Sequence, residues 1–285
     1  DRGGDWSSDV CSSDLLIGVG RKLGRAQLEG ASQLEVVSSV SVGYDNYDVA
    51  YLNERGIMLT NTPDVLTEST ADLAFALLMS SARRVAELDA WTKAGQWKAS
   101  VGASLFGGDV HGKTLGIVGM GNIGAAVARR GRLGFNMPIL YSGNSRKTAL
   151  EQELGAQMRS LEQLLAEADF VCLVVPLSEK TRHLISHREL GMMKSSAILI
   201  NISRGPVVDE PALIEALQTQ RIRGAGLDVY EQEPLAESPL FQLSNAVTLP
   251  HIGSATHETR AAMANRALDN RSEEHTSELQ SPPLS

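Results

Sequence analysis

TLGIVGMGNIG, residues 114–124, joins a short β-rich run to the glycine pattern G-x-G-x-x-G. Thr114 to Val118 is typical of a strand, and Ala125 to Arg132 after the glycines is typical of a helix. A strand, a tight glycine turn and a helix in that order are the context of a dinucleotide site, because the turn aims helix N-terminal amides at a pyrophosphate. The six-residue pattern alone would equally fit a plain glycine-rich turn. In its context it predicts dinucleotide contacts at Gly119, Gly121, Asn122, Ile123 and Gly124.

Strands and helices alternate along most of the chain. Residues 170–175 and 197–202 are apolar without alternation, as expected of parallel strands that are covered on both faces. The alternation predicts an α/β protein with a doubly wound parallel sheet of the Rossmann type. Residues 67–88 are expected to form one long helix, and residues 91–106 to be less regular. The other predicted strands cover residues 16–20, 34–40, 57–60, 138–141, 225–229 and 247–249.

Residues 1–15 and 271–285 show no hydrophobic periodicity and are related to each other at the level of DNA. One choice of codons for Asp5 to Leu15 has a reverse complement that translates as Arg271 to Ser281. A sequencing adaptor at both ends of a DNA fragment explains this relation, whereas protein function does not. We therefore predict that both segments are translated adaptor, and we leave them out of the fold assignment. The first strand and helix of the α/β pattern are expected to be missing before residue 16.

The length and the net charge of the chain limit the classes of function that it can have. The 285 residues suffice for two domains at roughly 100–200 residues each. The formal net charge of −8 becomes −3 for residues 16–270, because the excluded segments contribute −3 and −2. Such a mildly acidic chain gives no electrostatic case for a nucleic acid or an anionic membrane as partner. No apolar run approaches the ~20 residues of a membrane span, and the N-terminus lacks the basic, then apolar pattern of a signal peptide, so a cytoplasmic location is expected.

Two further patterns lack the context that their function needs. Gly107 to Thr114 matches the phosphate-loop pattern G-x-x-x-x-G-K-T. A phosphate loop follows a strand and opens a helix, whereas this segment follows a loop and opens a strand, so an NTPase is not expected. His183 and His187 are four residues apart without a Glu or Cys partner. They are interpreted as surface histidines, and no metal site is predicted.

The segment after the second nucleotide-binding strand bears on the ribose of the dinucleotide. A free 2′-hydroxyl usually meets Asp or Glu there, roughly 20 residues past the glycines. Residues 142–147, SGNSRK, contain no acid and two cations. A 2′-phosphate suits this composition better, and a solvated basic loop is the alternative. The predicted contacts are Ser142, Asn144 and Arg146.

Three polar residues follow successive predicted strands: Arg204 in NISRGPVVDE, Glu233 in LDVYEQEP and His251 in LPHIGSATHETR. The carboxyl ends of parallel strands meet at the edge where an open α/β sheet binds its ligands. Each residue has a plain alternative: a structural ion pair for Arg204, a solvated carboxylate for Glu233 and a non-catalytic imidazole for His251. Their joint position beside a dinucleotide fingerprint favours a shared catalytic site.

These blocks, together with SVGYDN at residues 41–46, resemble the D-2-hydroxyacid dehydrogenase family, and within it the glyoxylate/hydroxypyruvate reductases, including the 2-ketogluconate reductases. The resemblance covers essentially residues 16–270. It implies a Rossmann-type dinucleotide-binding domain over residues 67–251. It also implies a discontinuous flavodoxin-like substrate domain over residues 16–66 and 252–270, truncated at its N-terminus. The family implies an active site in the cleft between the domains, and usually a homodimer.

The roles implied by the resemblance are those of a reductase of small 2-oxo acids. Arg204 would hold the carboxylate and carbonyl of the substrate, His251 would protonate the carbonyl oxygen, and Glu233 would orient the imidazole. The backbone amides of Val42 and Gly43 would receive the substrate carboxylate. NADPH is the expected cofactor, with NADH as a possible one. Further cofactor contacts are implied at Pro176, Thr181, Ile202, Asp228 and Gly253.

Two other functions stay open at this stage. Transcriptional corepressors that resemble this family use the same fold and NAD(H) as an assembly signal, so a nucleotide-sensing binding module is one alternative. The other is an inactive, truncated fragment. A formate dehydrogenase is disfavoured, because we would expect Gln at the position of Glu233.

Overall fold

The computed structural model describes residues 14–18 and 22–276, with side chains through Asn270. The chain divides into two compact units. One contains the described residues up to Leu66 and those from Ser254 onward, and the other is Thr67–Gly253. The sequence places the second boundary at residue 251. Gly253 stays with the larger unit, where its amide donates to Asp228 at 2.8 Å.

The first unit contains a three-stranded parallel sheet in which the strands lie in chain order. Gly56, after the second helix of this unit, has φ +69°, the left-handed conformation in which glycine commonly ends a helix. Leu28, Val37, Leu52 and Leu59 form part of the buried core of this unit. The strands are β1 Leu15–Gly18, β2 Val36–Ser39 and β3 Met58–Thr60, with helices α1 Arg25–Leu28 and α2 Val49–Glu54 between them.

The strands of the larger unit are β4 Leu115–Val118, β5 Ile139–Ser142, β6 Gln157–Met158, β7 Phe170–Leu173, β8 Ile198–Asn201, β9 Gly224–Leu227 and β10 Ala246–Thr248. They form a parallel sheet of order β10-β9-β8-β7-β4-β5-β6. The chain runs outward from β4 in both directions, so the strand order reverses between β4 and β7, which confirms the doubly wound sheet. The carboxyl ends of strands at such a reversal form the usual ligand crevice of an open α/β sheet.

Both faces of this sheet are covered. Along β7, Phe170 and Cys172 enter one hydrophobic core, and Val171 and Leu173 enter the other. This is why the strand shows no polar alternation in the sequence. The helices are α3 Thr67–Arg83, α4 Val85–Lys93, α5 Asn122–Arg129, α6 Thr148–Leu154, α7 Leu161–Glu167, α8 His187–Met192 and α9 Glu210–Gln218.

The prediction of one helix over residues 67–88 is wrong. Helix α3 ends at Arg83, and Arg84 adopts φ +56° before α4 begins. The guanidinium of Arg84 donates to both carboxylate oxygens of Glu87 and to the carbonyl of Ser104. The contact with Ser104 joins residues 20 positions apart, so the local periodicity of the sequence does not contain it.

The last helix, α10 His257–Thr276, belongs to the first unit, where the Ser38 hydroxyl donates to the carbonyl of Ala267 at 2.8 Å. Most of the two segments predicted to be translated adaptor lies outside the described residues. Within the described part, β1 begins at Leu15, and the carbonyl of Asp14 accepts from the amide of Glu35 at 2.8 Å. The adaptor origin of these segments stays a prediction.

Candidate active site

Arg204, Glu233 and His251 lie in the loops that follow β8, β9 and β10. These strands are neighbours and parallel, so their carboxyl ends share one edge of the sheet. The loop after β8 approaches the loop after β9 closely at Gly205, where a Cβ atom would overlap the carbonyl group of Tyr230. Glycine at this position therefore lets the segment that carries Arg204 pack beside the segment that leads to Glu233.

The side chains of His251 and Glu233 are in direct contact. Nδ1 of His251 lies 2.6 Å from Oε2 of Glu233, and the amide of Tyr230 donates to Oε1 of Glu233 at 3.0 Å. Burial opposes the ionisation of Glu233. The hydrogen bonds from His251 and Tyr230, with the positive charge of Arg204, outweigh it and hold the pKa of Glu233 below its usual value. An ionised carboxylate thus faces one imidazole nitrogen, and Nε2 is the ring nitrogen left for a proton transfer.

Arg204 contributes to the same electrostatic environment. Its carbonyl accepts from the Asn201 side chain at 3.1 Å, and its Nη1 donates to the carbonyl of Ser203 at 2.9 Å. These contacts anchor the residue at the end of β8. The charge of Arg204 is one of the causes of the lowered pKa of Glu233. The structure therefore brings together, at one sheet edge, the three residues for which the sequence predicts a catalytic role.

Asp228 supports the loop that carries His251. It is 1% exposed, and its two carboxylate oxygens accept from the amides of Ile252 at 2.7 Å and Gly253 at 2.8 Å. Burial raises the pKa of Asp228, although both amides favour its charged form. The sequence predicts Asp228 and Gly253 only as cofactor contacts and misses this link between them. An acid at the end of the buried strand β9 is the signal that could have suggested it.

The three glycines of the fingerprint differ in what surrounds them. Gly119 has φ +101°, and a Cβ atom there would lie 2.6 Å from the carbonyl oxygen of Val174. A Cβ atom at Gly124 would lie against the carbonyl oxygen of Gly119. At Gly121, the N-cap of α5, an added Cβ would meet no atom of the described residues within 4 Å. Packing thus requires the first and third glycines, and the second leaves the helix N-terminus open to a pyrophosphate, so the turn fits a dinucleotide.

Ser142 is the last residue of β5, and the exposed residues Asn144 and Arg146 lie in the segment after it. Nε of Arg146 lies 2.8 Å from Oε2 of Glu151 in α6. The Tyr141 hydroxyl donates to Oε1 of Glu151 at 2.7 Å. Residues 142–147 contain no acid, but α6 places the carboxylate of Glu151 beside this segment. The apolar pair Leu150 and Leu154 followed by Gly155 is the sequence signal for that helix.

The remaining predicted cofactor residues of the larger unit follow β7 and β8. The Thr181 hydroxyl donates to the carbonyl of Pro176 at 2.7 Å, which closes the turn after β7. Ile202 lies next to the end of β8 and is buried. β7 lies between β4 and β8 in the sheet, so these residues are near the point where the strand order reverses. Contact of Pro176, Thr181 and Ile202 with a cofactor stays a prediction.

Val42 and Gly43 belong to the first unit, in the loop after β2. The carbonyl of Val42 accepts from the Asn61 side chain at 3.0 Å, and the carbonyl of Gly43 accepts from the Ser41 hydroxyl at 2.6 Å. Neither amide of the pair donates to an acceptor among residues 14–18 and 22–276. The loop is thus fixed through its carbonyls, and its amides can donate to a ligand.

Within the described residues, no helix combines the length and the apolar composition that a membrane span requires.

His183 and His187, predicted to be surface histidines, each face a glutamate. Nε2 of His183 lies 2.7 Å from Oε1 of Glu231, and Nδ1 of His187 lies 3.8 Å from Oε2 of Glu215.

Comparison with protein families gives one match over most of the larger unit. The family model described as "D-isomer specific 2-hydroxyacid dehydrogenase, NAD binding domain" matches residues 75–253. This range includes the glycine fingerprint and Arg204, Glu233 and His251. It bears out the nicotinamide-binding Rossmann domain that the sequence predicts.

Comparison with individual proteins agrees with the family match. A glyoxylate/hydroxypyruvate reductase B of Yersinia enterocolitica is 57% identical over 264 residues, which are 92% of this chain and 81% of that protein. The reductase of the same name from Yersinia pestis is 56% identical over 256 residues, 90% of this chain and 78% of that protein.

Two solved structures have a closely similar fold. A protein from Thermus thermophilus is 43% identical with a TM-score of 0.90, covering 98% of this chain and 88% of that one. An NADPH-dependent glyoxylate/hydroxypyruvate reductase from Sinorhizobium meliloti, in complex with NADP and malonate, is 34% identical with a TM-score of 0.89, covering 98% and 86%. These likenesses bear out the α/β Rossmann-type fold.

Proposed function

Because the chain belongs to the D-isomer specific 2-hydroxyacid dehydrogenase family, we propose that it reduces small 2-oxo acids to D-2-hydroxy acids with NAD(P)H. The names of its relatives support glyoxylate and hydroxypyruvate as substrates, and 2-ketogluconate is a third candidate from the sequence. The observation that carries the proposal is the contact of 2.6 Å between His251 and Glu233 at the sheet edge that also holds Arg204.

His251 is the proton donor in this proposal. When bound, the reduced nicotinamide supplies the hydride. The substrate oxygen gains negative charge during the reduction, and an imidazolium placed beside it lowers the barrier by giving up a proton. Glu233 holds Nδ1 of His251, so that Nε2 is the nitrogen that faces the substrate. The ionised carboxylate also favours the charged form of the ring before the proton moves.

Arg204 and the loop of Val42 and Gly43 bind the substrate in this proposal. The planar guanidinium of Arg204 can take a carboxylate oxygen and the carbonyl oxygen together, a geometry that Lys does not reproduce. The amides of Val42 and Gly43 donate to the carboxylate. Fixing the carboxylate in this way aligns the neighbouring carbonyl group for reduction.

NADPH is the proposed preferred cofactor. The exposed Arg146 lies after β5, where a dinucleotide site for NADH usually has an acid for the 2′-hydroxyl. One charge-assisted contact of this kind corresponds to a preference of roughly ten- to a hundredfold. The NADPH-dependent relative from Sinorhizobium meliloti supports this assignment. The other predicted contacts of the cofactor, from the glycine turn to Gly253, are part of the same proposal.

A homodimer is proposed as the functional assembly. Several large apolar side chains between residues 85 and 106 are exposed, as expected of a surface that a second copy covers. They are Val85, Trp97, Val101 and Phe106. Sedimentation of the chain, with Trp97→Glu as a disrupting variant, tests the assembly. The cytoplasmic location and the division into a substrate domain and a dinucleotide-binding domain stay predictions.

A steady-state assay of this chain tests the function. Glyoxylate, hydroxypyruvate and 2-ketogluconate are each combined with NADPH and with NADH, and the configuration of the product is determined by chiral chromatography. We expect turnover with at least one substrate, higher kcat/KM with NADPH, and the D-isomer as product. A folded chain, verified by thermal unfolding, that turns over none of these pairs would contradict the proposal and favour a binding module.

A further inference from the structure

Among the residues that the structure describes, only Glu151 holds the guanidinium of Arg146. Its Nε donates to both oxygens of Glu151, at 3.0 Å and 2.8 Å. Neither terminal nitrogen of its guanidinium donates to a described residue in the larger unit. The side chain of Arg146 is 74% exposed, whereas that of Glu151 is 14% exposed. The carboxylate of Glu151 thus holds the guanidinium at Nε, and both terminal nitrogens keep donor hydrogens for a ligand.

Glu151 is itself anchored before it meets Arg146. The Tyr141 hydroxyl donates to Oε1 of Glu151 at 2.7 Å, and the same hydroxyl accepts from the amide of Lys147 at 2.8 Å. Tyr141 is fully buried in β5. The chain of contacts therefore runs from the strand, through a buried phenol and a carboxylate on α6, to an exposed guanidinium.

The chemistry of the exposed end matches an oxyanion with several acceptor oxygens. Two parallel N–H donors on a planar group bind a phosphate in bidentate fashion, and the affinity is higher when the group is already oriented. Without Glu151, Arg146 would be a long side chain with free rotamers at the edge of a loop. When the ligand has to immobilise such a side chain, part of the binding free energy is lost.

We propose that Glu151 is a positioning residue for cofactor selection: it fixes Arg146 through Nε so that the terminal nitrogens receive the 2′-phosphate of NADP(H). This inference rests on the proposed preference for NADPH. It differs from the opposite role that an acid beside a phosphate site can have, which is to repel the phosphate and favour NADH. The two roles predict opposite signs for the removal of the carboxylate.

Calorimetric titration of the full chain tests this inference, with NADP⁺, NAD⁺ and 2′,5′-ADP as probes. For Glu151→Gln we expect the Kd of NADP⁺ and of 2′,5′-ADP to rise roughly three- to tenfold, and the Kd of NAD⁺ to be unchanged. In steady state, the KM for NADPH rises while kcat is kept. Glu153→Gln is the matched control, because Glu153 lies on the same helix and pairs with Arg129 at 2.7 Å instead.

A double-mutant cycle decides whether Glu151 acts through Arg146. In the Arg146→Ala background, Glu151→Gln should leave the Kd of NADP⁺ unchanged, because the group that it positions is gone. Tighter NADP⁺ binding by the single variant Glu151→Gln, or an effect that persists in the Arg146→Ala background, would overturn the positioning role. If Arg146→Ala itself does not weaken NADP⁺ selectively, the proposed NADPH preference fails and the inference fails with it.

Discussion

Nδ1 of His251 lies 2.6 Å from Oε2 of Glu233, although the two residues belong to loops after different strands. β9 and β10 are adjacent and parallel, so their carboxyl ends deliver the two side chains to one place. The Tyr230 amide holds the second oxygen of Glu233, which fixes the carboxylate in the orientation that meets the ring. A carboxylate and an imidazole in this arrangement can act as a proton-donating pair, the role that we propose for them.

The first prediction concerns the proton donor. His251→Ala should lower kcat by about 10²–10⁴, the usual range for the loss of a positioned general acid. The Kd of NADP⁺, measured by calorimetry, should stay nearly unchanged, because the ring is assigned to the substrate. His257→Ala, a change in the exposed first turn of α10, is the control. Turnover of His251→Ala close to that of the unmodified chain would place the proton donor elsewhere.

The second prediction concerns the charge of Glu233. Glu233→Gln keeps the size of the side chain and removes the negative charge that favours the imidazolium. The pH above which reduction fails should therefore move downward. The measurement is kcat against pH for both proteins with glyoxylate or hydroxypyruvate. If kcat of Glu233→Gln fell at the same high pH as kcat of the unmodified chain, another group would control the protonation of the donor.

The third prediction concerns stability against pH. The pKa of Glu233 is lowered in the folded state, so its contribution to the free energy of unfolding is present above its unfolded pKa of about 4.3. That contribution is lost as the pH falls through the lower folded value. The difference in unfolding free energy between the unmodified chain and Glu233→Gln should therefore shrink as the pH falls below about 4.3, measured by urea unfolding. The exposed Glu237→Gln is the control, and an equal trend for both variants would contradict the expectation.

The fourth prediction concerns the approach of two loops. Gly205→Ala would place a Cβ atom on the carbonyl group of Tyr230, so either the segment of Arg204 or that of Glu233 has to move. We expect a loss of about 1–3 kcal/mol in unfolding free energy and a lower kcat, because the pair and the guanidinium lose their alignment. Gly191→Ala is the matched control, since a Cβ atom there meets nothing within 4 Å in the described residues. Equal stability of the two variants would show that the loops tolerate separation.

Most of the fold and the outline of the site follow from local signals in the sequence. Apolar runs predict the buried strands. The polar residues in the loops after the parallel strands indicate the functional edge of the sheet, and Arg204, Glu233 and His251 are found in this way. The break at Arg84 could not be predicted, because the contact of its guanidinium with Ser104 depends on tertiary structure. The sequence does not predict the contact of Glu151 with the segment after β5, for a related reason. Its partner Arg146 is only five positions away, but the contact requires α6 to form and Tyr141 to anchor the carboxylate.

The last prediction separates the packing role of the fingerprint glycines from their role in binding. Gly121 has φ −84°, which any residue adopts, and a Cβ atom there meets no described atom within 4 Å. Gly121→Ala should therefore leave the unfolding free energy nearly unchanged and raise the Kd of NADP⁺ and NAD⁺ together, because the added methyl group occupies the approach of the pyrophosphate to α5. Gly124→Ala instead brings a Cβ atom against the carbonyl oxygen of Gly119 and should cost about 1–3 kcal/mol of stability. Thermal unfolding and calorimetric titration of both variants give the two readouts. If Gly121→Ala bound both cofactors as tightly as the unmodified chain, the pyrophosphate would not lie at this turn, and the assignment of the fingerprint as the dinucleotide site would be wrong.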